Sequence, residues 1–110
     1  MNIDELVNSI AEDEHRISLA RWVDEWKKDD TDVHNLYRLI VKWHGNVWFQ
    51  NQEKHDGFRS DLQAFKESAI DGLGGMTVNE RLYWFGLFEA WDHADNQGQQ
   101  RIRRKLDAPA

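Results

Sequence analysis

Thr77-Val-Asn-Glu-Arg-Leu-Tyr-Trp-Phe-Gly-Leu-Phe-Glu-Ala-Trp91 decides how the rest of the chain must be read. It opens with a helix start signal. Thr77 and Glu80 have the spacing of a capping box, in which the hydroxyl accepts from the backbone N–H three residues on and the carboxylate reaches back. Five aromatic residues then fall within the nine positions from Tyr83 to Trp91. A helix written this way carries large rings on every face except near Glu80, Arg81 and Glu89. Such a helix is stable only where other elements bury most of it. The spacing predicts one aromatic helix over residues 78–95, central in the fold and covered by the rest of the chain.

The cover is helical as well. Ile3, Leu6, Val7 and Ile10 form one apolar helical stripe, with Asn2 placed to cap it. The acids Glu12, Asp13 and Glu14 interrupt the stripe and mark a helix end or kink. Leu19, Trp22, Val23 and Trp26 form a second stripe that ends at Lys27 and Lys28, cations suited to a helix C-terminus. Thr31 or Asp32 caps a third helix bearing Val33, Leu36, Tyr37, Ile40, Trp43, His44 and Val47, with a pattern that runs on to residue 50. Residues 50–55 hold no apolar side chain and read as a loop. Asp56 then caps a fourth helix with Phe58, Leu62, Phe65, Ala69 and Ile70 inward, stopped at Gly72-Leu-Gly-Gly75. Asn96-Gln-Gly98 reads as a turn before a short final helix carrying Ile102 and Leu106. No period-2 strand is present. The expectation is an all-α, single-domain compact bundle of five or six helices over residues 1–110.

Composition bounds the function. The chain has 110 residues, 31% of them charged, with six Trp, one Pro and no Cys. A chain of this length supports one core unaided, and the lack of Cys excludes disulfides and thiolate chemistry. No leader-like or membrane-spanning stretch appears, which points to a cytoplasmic protein with no membrane partner. Net charge is −6, and residues 1–32 alone hold ten acids against four bases. Residues 101–110 hold four bases against one acid. The acidic balance disfavours nucleic acid and favours a basic protein partner, such as a toxin or an enzyme.

The segment Met76-Thr-Val-Asn-Glu-Arg-Leu, followed by Gly86-Leu and by Trp91-Asp92, resembles a segment of small bacterial proteins of unassigned function. The resemblance covers residues 76–107. It implies a bacterial-type helical protein and brings no activity with it.

No catalytic set is visible. Ser9, Ser18, Ser60 and Ser68 lie in no Gly-x-Ser-x-Gly elbow. There is no Glu-x-x-Glu, so the facing-helix Mg²⁺ site of all-α nucleotide pyrophosphatases fails at its motif. The Gly72–Gly75 run lacks the Gly-Lys-Ser/Thr ending of a phosphate cradle. No cofactor motif is present. His55-Asp56 is the dipeptide a metal-dependent hydrolase would need, with His34 or His44 and Asp92 or Asp95 as further ligands. His34 and His44 stand about 15 Å apart along one helix and do not chelate together.

The expected function is a non-catalytic protein-binding module, an acidic inhibitor or immunity-type protein that masks a basic site. Glu12, Asp13, Glu14, Asp24, Glu25, Asp29, Asp30 and Asp32 are the candidate complementary charges. Trp48, Trp84 and Trp91 are the candidate anchors, because adjacent rings such as Trp48 and Phe49 cannot all turn inward. Exposed rings would equally serve a homodimer. A nucleic-acid-associated regulator would instead use the basic stretch at residues 101–105, whose plainer role is to lie against the acidic first third.

Overall fold

The computed structural model describes residues 1–108 and is all-α among them. Seven α-helices follow one another: α1 (Ile3–Asn8), α2 (Asp13–Lys28), α3 (Val33–Gly45), α4 (Gln52–Phe65), α5 (Val78–Trp84), α6 (Phe88–His93) and α7 (Asn96–Lys105). A π turn, Lys66–Ile70, and a 3₁₀ turn, Leu73–Gly75, connect α4 to α5. No helix among the described residues is long and apolar enough to cross a membrane.

Helix starts follow local chemistry. Asn2 and Glu5 form a reciprocal capping box at α1, and Thr77 and Glu80 form one at α5. Asp32 caps α3 by accepting from the Asn35 N–H at 3.0 Å. The fourth helix begins earlier than the sequence pattern predicts. Asn51, not Asp56, is its cap, accepting from the Lys54 N–H at 2.9 Å. Residues 52–55 are therefore its first turn, polar because three of the four side chains face water, while His55 turns inward. Likewise residues 96–98 are not a loop but the first turn of α7, capped by Asp95. The third helix stops at Gly45 and does not reach residue 50.

The aromatic stretch is two helices. It breaks at Phe85-Gly86-Leu87, where Gly86 adopts φ +65°, a left-handed conformation that favours glycine. A Cβ at Gly86 would collide with Asp4 Oδ2 and lie 3.0 Å from Lys27 Nζ. The break thus presses the backbone against the Asp4–Lys27 ion pair, 2.8 Å long. This division accounts for seven helices where periodicity reads six. It also moves the centre of the fold. Leu82, Phe85 and Leu87, all fully buried, carry the segment's contribution to the core, whereas α6 buries no residue completely.

The core runs from Ile3, Leu6 and Val7 through Leu19, Val23 and Trp26 to Leu36, Ile40 and Trp43. Phe58, Leu62 and Phe65 of α4 join it, as do Ile102 of α7 and Leu106, the residue that closes that helix. Phe85 joins these layers, with its ring 6.1 Å from Trp26 and 5.8 Å from Phe65.

Arg81, in the Asn-Glu-Arg-Leu motif, is 5% exposed and works as a clamp. It donates from Nε to Met76 O at 3.3 Å, and from one terminal nitrogen to Leu106 O and Asp107 O at 3.1 and 2.6 Å. The carbonyls left open at the end of α7 are closed in this way.

Candidate partner-binding site

The acidic third divides into used and unused carboxylates. Asp29 accepts from Lys105 Nζ at 2.9 Å, and the same ammonium donates to Asp29 O and Thr31 O at 2.8 Å each. Burial pushes the Asp29 carboxyl up, but the hydrogen bonds from Lys105 and Thr31 outweigh it and hold it below the ordinary range. Lys105 is 3% exposed, and burial lowers its ammonium against the pull of Asp29. Asp30 pairs with Arg101 at 3.4 Å, Asp13 with Arg16 at 2.6 Å, and Asp32 is the α3 cap. The basic α7 therefore lies against the acidic first third. Glu14, Asp24 and Glu25 stay exposed on α2, with no ion pair or side-chain hydrogen bond among the described residues.

The aromatic candidates separate sharply. Trp48 is 74% exposed, the most exposed large apolar side chain among the described residues. Trp84 is partly buried against Phe65, ring centroids 6.4 Å apart, and Trp91 is partly covered by the Arg103 guanidinium at 5.5 Å. Tyr83 and Phe88, at 47% and 43%, are the exposed rings of that region instead. The Tyr83 hydroxyl donates to Glu5, whose negative charge pushes the phenol up.

Trp48 stands on the link between α3 and α4, and imidazoles hold that link. His15 Nε2 donates to Trp48 O at 2.7 Å, and Glu12 Oε1 accepts from the Gln50 N–H at 2.9 Å. Phe49 plugs the core beneath, stacked on His15 at 5.0 Å and edge-on to Trp43, His44 and His55. The Trp48 ring lies flat on His55, centroids 5.0 Å and planes 25° apart. His55 in turn stacks on His44, centroids 4.0 Å and planes 20° apart. His44 Nε2 donates to His55 O at 3.0 Å, and His55 Nδ1 is buried with no partner. Burial, followed by the neighbouring His55, lowers the His44 imidazole below its usual value.

The start of α2 thus meets the Trp48 link directly, through His15 and the Glu12 cap residue, and carries the acids Glu12, Asp13 and Glu14. A cleft of about 200 Å³ opens beside it, floored by Ile10, Phe49 and Phe58 and edged by Glu12, Lys54 and Asp61. Sequence reasoning missed His15 and His55 as supports of this surface. The available signal was His15, three residues past Glu12, where a helix turn brings them together.

The residues of the hydrolase reading do not converge. His55 is enclosed between His44 and Trp48, while Asp56 is exposed and accepts from Gln52 Nε2 at 2.8 Å. His34 is partnered instead with Asp107, 3.8 Å away. Among the described residues no group of three or more His, Asp or Glu is placed to hold a metal ion.

No family model, no curated protein and no solved structure matches this chain.

Proposed function

We propose that the protein is a non-catalytic protein-binding module, in concrete form an acidic inhibitor or immunity-type protein that covers a basic site on its partner. The observation that carries this reading is Trp48, 74% exposed yet fixed in orientation by His55 beneath it and by its own carbonyl's bond to His15. A rigid, exposed indole is the side chain that most often anchors an interface. Glu12 binds the link that carries it, and Glu14, Asp24 and Glu25 are exposed charges not consumed inside the fold. Asp29 and Asp32 are drawn into the fold, fastening α7 and capping α3, whereas Asp30, 82% exposed beside Arg101, stays on the candidate surface.

Affinity capture from a lysate, repeated with variants, tests the reading. Trp48→Ala should weaken capture of a basic protein by at least about tenfold, the cost of a hot-spot residue. Glu14→Lys with Glu25→Lys should slow association and abolish its salt dependence. Capture unchanged in both variants rejects the reading. Sedimentation of the chain alone separates the homodimer, in which Trp48→Ala would convert dimer to monomer.

A further inference from the structure

Three further features of the molecule offer candidates. The groove lined by Trp22, Asn35, Arg38 and Lys42 holds cations, but nothing in it points to a ligand. The concavity on α7 around Gln100 and Arg104 is bounded by residues of one helix and Ala108 alone. The histidines behind Trp48 carry more, because their arrangement couples a titratable pair to an exposed anchor.

We propose that the His44–His55 stack is a proton-operated latch on the Trp48 surface, closed while the His44 ring is neutral and released when His44 takes up a proton. The geometry supplies each part. His44 and His55 lie face to face at 4.0 Å, and Trp48 rests on the outer face of His55. His44 and His55 are each 6% exposed, so a charge there is poorly solvated. His44 already spends Nε2–H on His55 O, so its next proton goes to Nδ1. A proton on His55 Nδ1 would be a buried donor with no acceptor.

The charged groups around the pair do not cancel this cost. From α4, Arg59 opposes a charge on His44 and Asp56 favours one, with the opposing contribution ahead. Lys54, also on α4, is exposed and donates to Gln50 Oε1. From α2, His15 and Glu12 face the link, Glu12 Oε2 lying 3.3 Å from His15 Nε2. That carboxylate serves His15 and the Gln50 N–H and is not directed at the stack. Protonation is relieved by parting the rings, which lifts Trp48 from its support. The bonds from His15 and Glu12 hold only the backbone of the link from α3 to α4, so the Trp48 ring is free to turn away once that support is gone.

The latch is a form of regulation of the surface proposed above and rests on Trp48 being its anchor. Its test needs no partner. In the full-length chain, nuclear Overhauser contacts between the Trp48 indole and the His55 ring are followed from about pH 7.5 to about pH 5, the range in which histidine titrates. They should vanish with a midpoint below about 6.5 while far-ultraviolet circular dichroism holds constant. His44→Phe keeps the ring and removes the proton site, and should retain the contacts throughout. If that variant fails to fold, His44→Gln, which keeps the donor to His55 O, takes its place and should likewise retain them. The proposal is overturned if the wild-type contacts survive to about pH 5, if the folded variant loses them at the wild-type pH, or if helix content collapses with them. Loss of partner capture in Trp48→Ala is a separate result. The latch can therefore fail while the anchor stands, and the reverse.

Discussion

Lys105 Nζ lies 4.1 Å from the centroid of the Trp26 ring and donates three hydrogen bonds to the turn that follows α2. An indole below, a carboxylate beside and two carbonyls above leave the ammonium 3% exposed and fully paired. This cation is the buried link between the final helix and the first third, with the exposed Arg101–Asp30 pair beside it, at an interface where Trp26 is itself completely buried.

Lys105→Ala removes the charge and the stem together, leaving Asp29 O and Thr31 O without their donor. The expected cost is about 2–4 kcal/mol, at the lower end because Asp29 is partly exposed and solvent-screened. Lys105→Met keeps the stem over Trp26 and should cost less. Urea denaturation measures both. Equal, near-zero changes would remove this residue from the account of stability.

Gly86→Ala forces a side chain into the left-handed region and into the Asp4–Lys27 pair. A loss of about 2 kcal/mol or more is expected, combining strain with the collision. Gly57 is the contrast. It lies within α4 with open space where a Cβ would go, so Gly57→Ala should stabilise by about 1 kcal/mol. Thermal melts of the two variants should move in opposite directions.

Burial and His55 hold the His44 pKa below the ordinary histidine value. Above about pH 6.5 neither the folded nor the unfolded chain carries this proton, and the full stability is present. As pH falls below that, the unfolded chain takes the proton first. Stability is lost until the lowered folded value is reached and then levels off. Urea midpoints between about pH 8 and about pH 5 should fall in the wild type, and His44→Phe should flatten that part of the curve. A midpoint that rises on acidification would contradict the sign.

Arg81→Ala opens the end of α7 by unpairing Leu106 O and Asp107 O. A cost of about 2–3 kcal/mol is expected, since charged donors to buried acceptors are lost. Hydrogen exchange should locate the damage. Amides of residues 102–106 should lose protection before those of α3.

What could be read from the sequence was local. Thr77 with Glu80 and Asp32 with Asn35 act within one helical turn, so their residue types suffice. The break at Gly86 was hidden, because the rings on either side continue a helical rhythm. A glycine inside a helix costs only about 1 kcal/mol. The left-handed turn is selected by Asp4 and Lys27, remote in sequence, which pack against it. The first turn of α4 was read as a loop because its polar residues mark a solvent face, and one inward histidine is too sparse a stripe to show.

The candidate surface was legible to the same degree. Trp48 beside Phe49 required that one ring point outward, and the structure makes it Trp48. Trp84 and Trp91 are partly covered by Phe65 and Arg103, partners too remote in sequence for local spacing to reveal. The basic final helix against the acidic start was inferred from charge alone and is realised in the Lys105–Asp29 and Arg101–Asp30 pairs. No charge count could single out Lys105 as the buried member.

The turn at residues 29–31 is closed by a side chain 76 positions away. During synthesis the α2 and α3 segments emerge long before that side chain exists, so their junction waits with its carbonyls hydrated. Contacts of such separation carry a large loop-closure cost and form late in folding. The clasp should therefore act as a brake on unfolding. Kinetics of Lys105→Met should show a raised unfolding limb and a nearly unmoved folding limb, making residue 105 a determinant of how long the folded molecule lasts more than of how fast it is made.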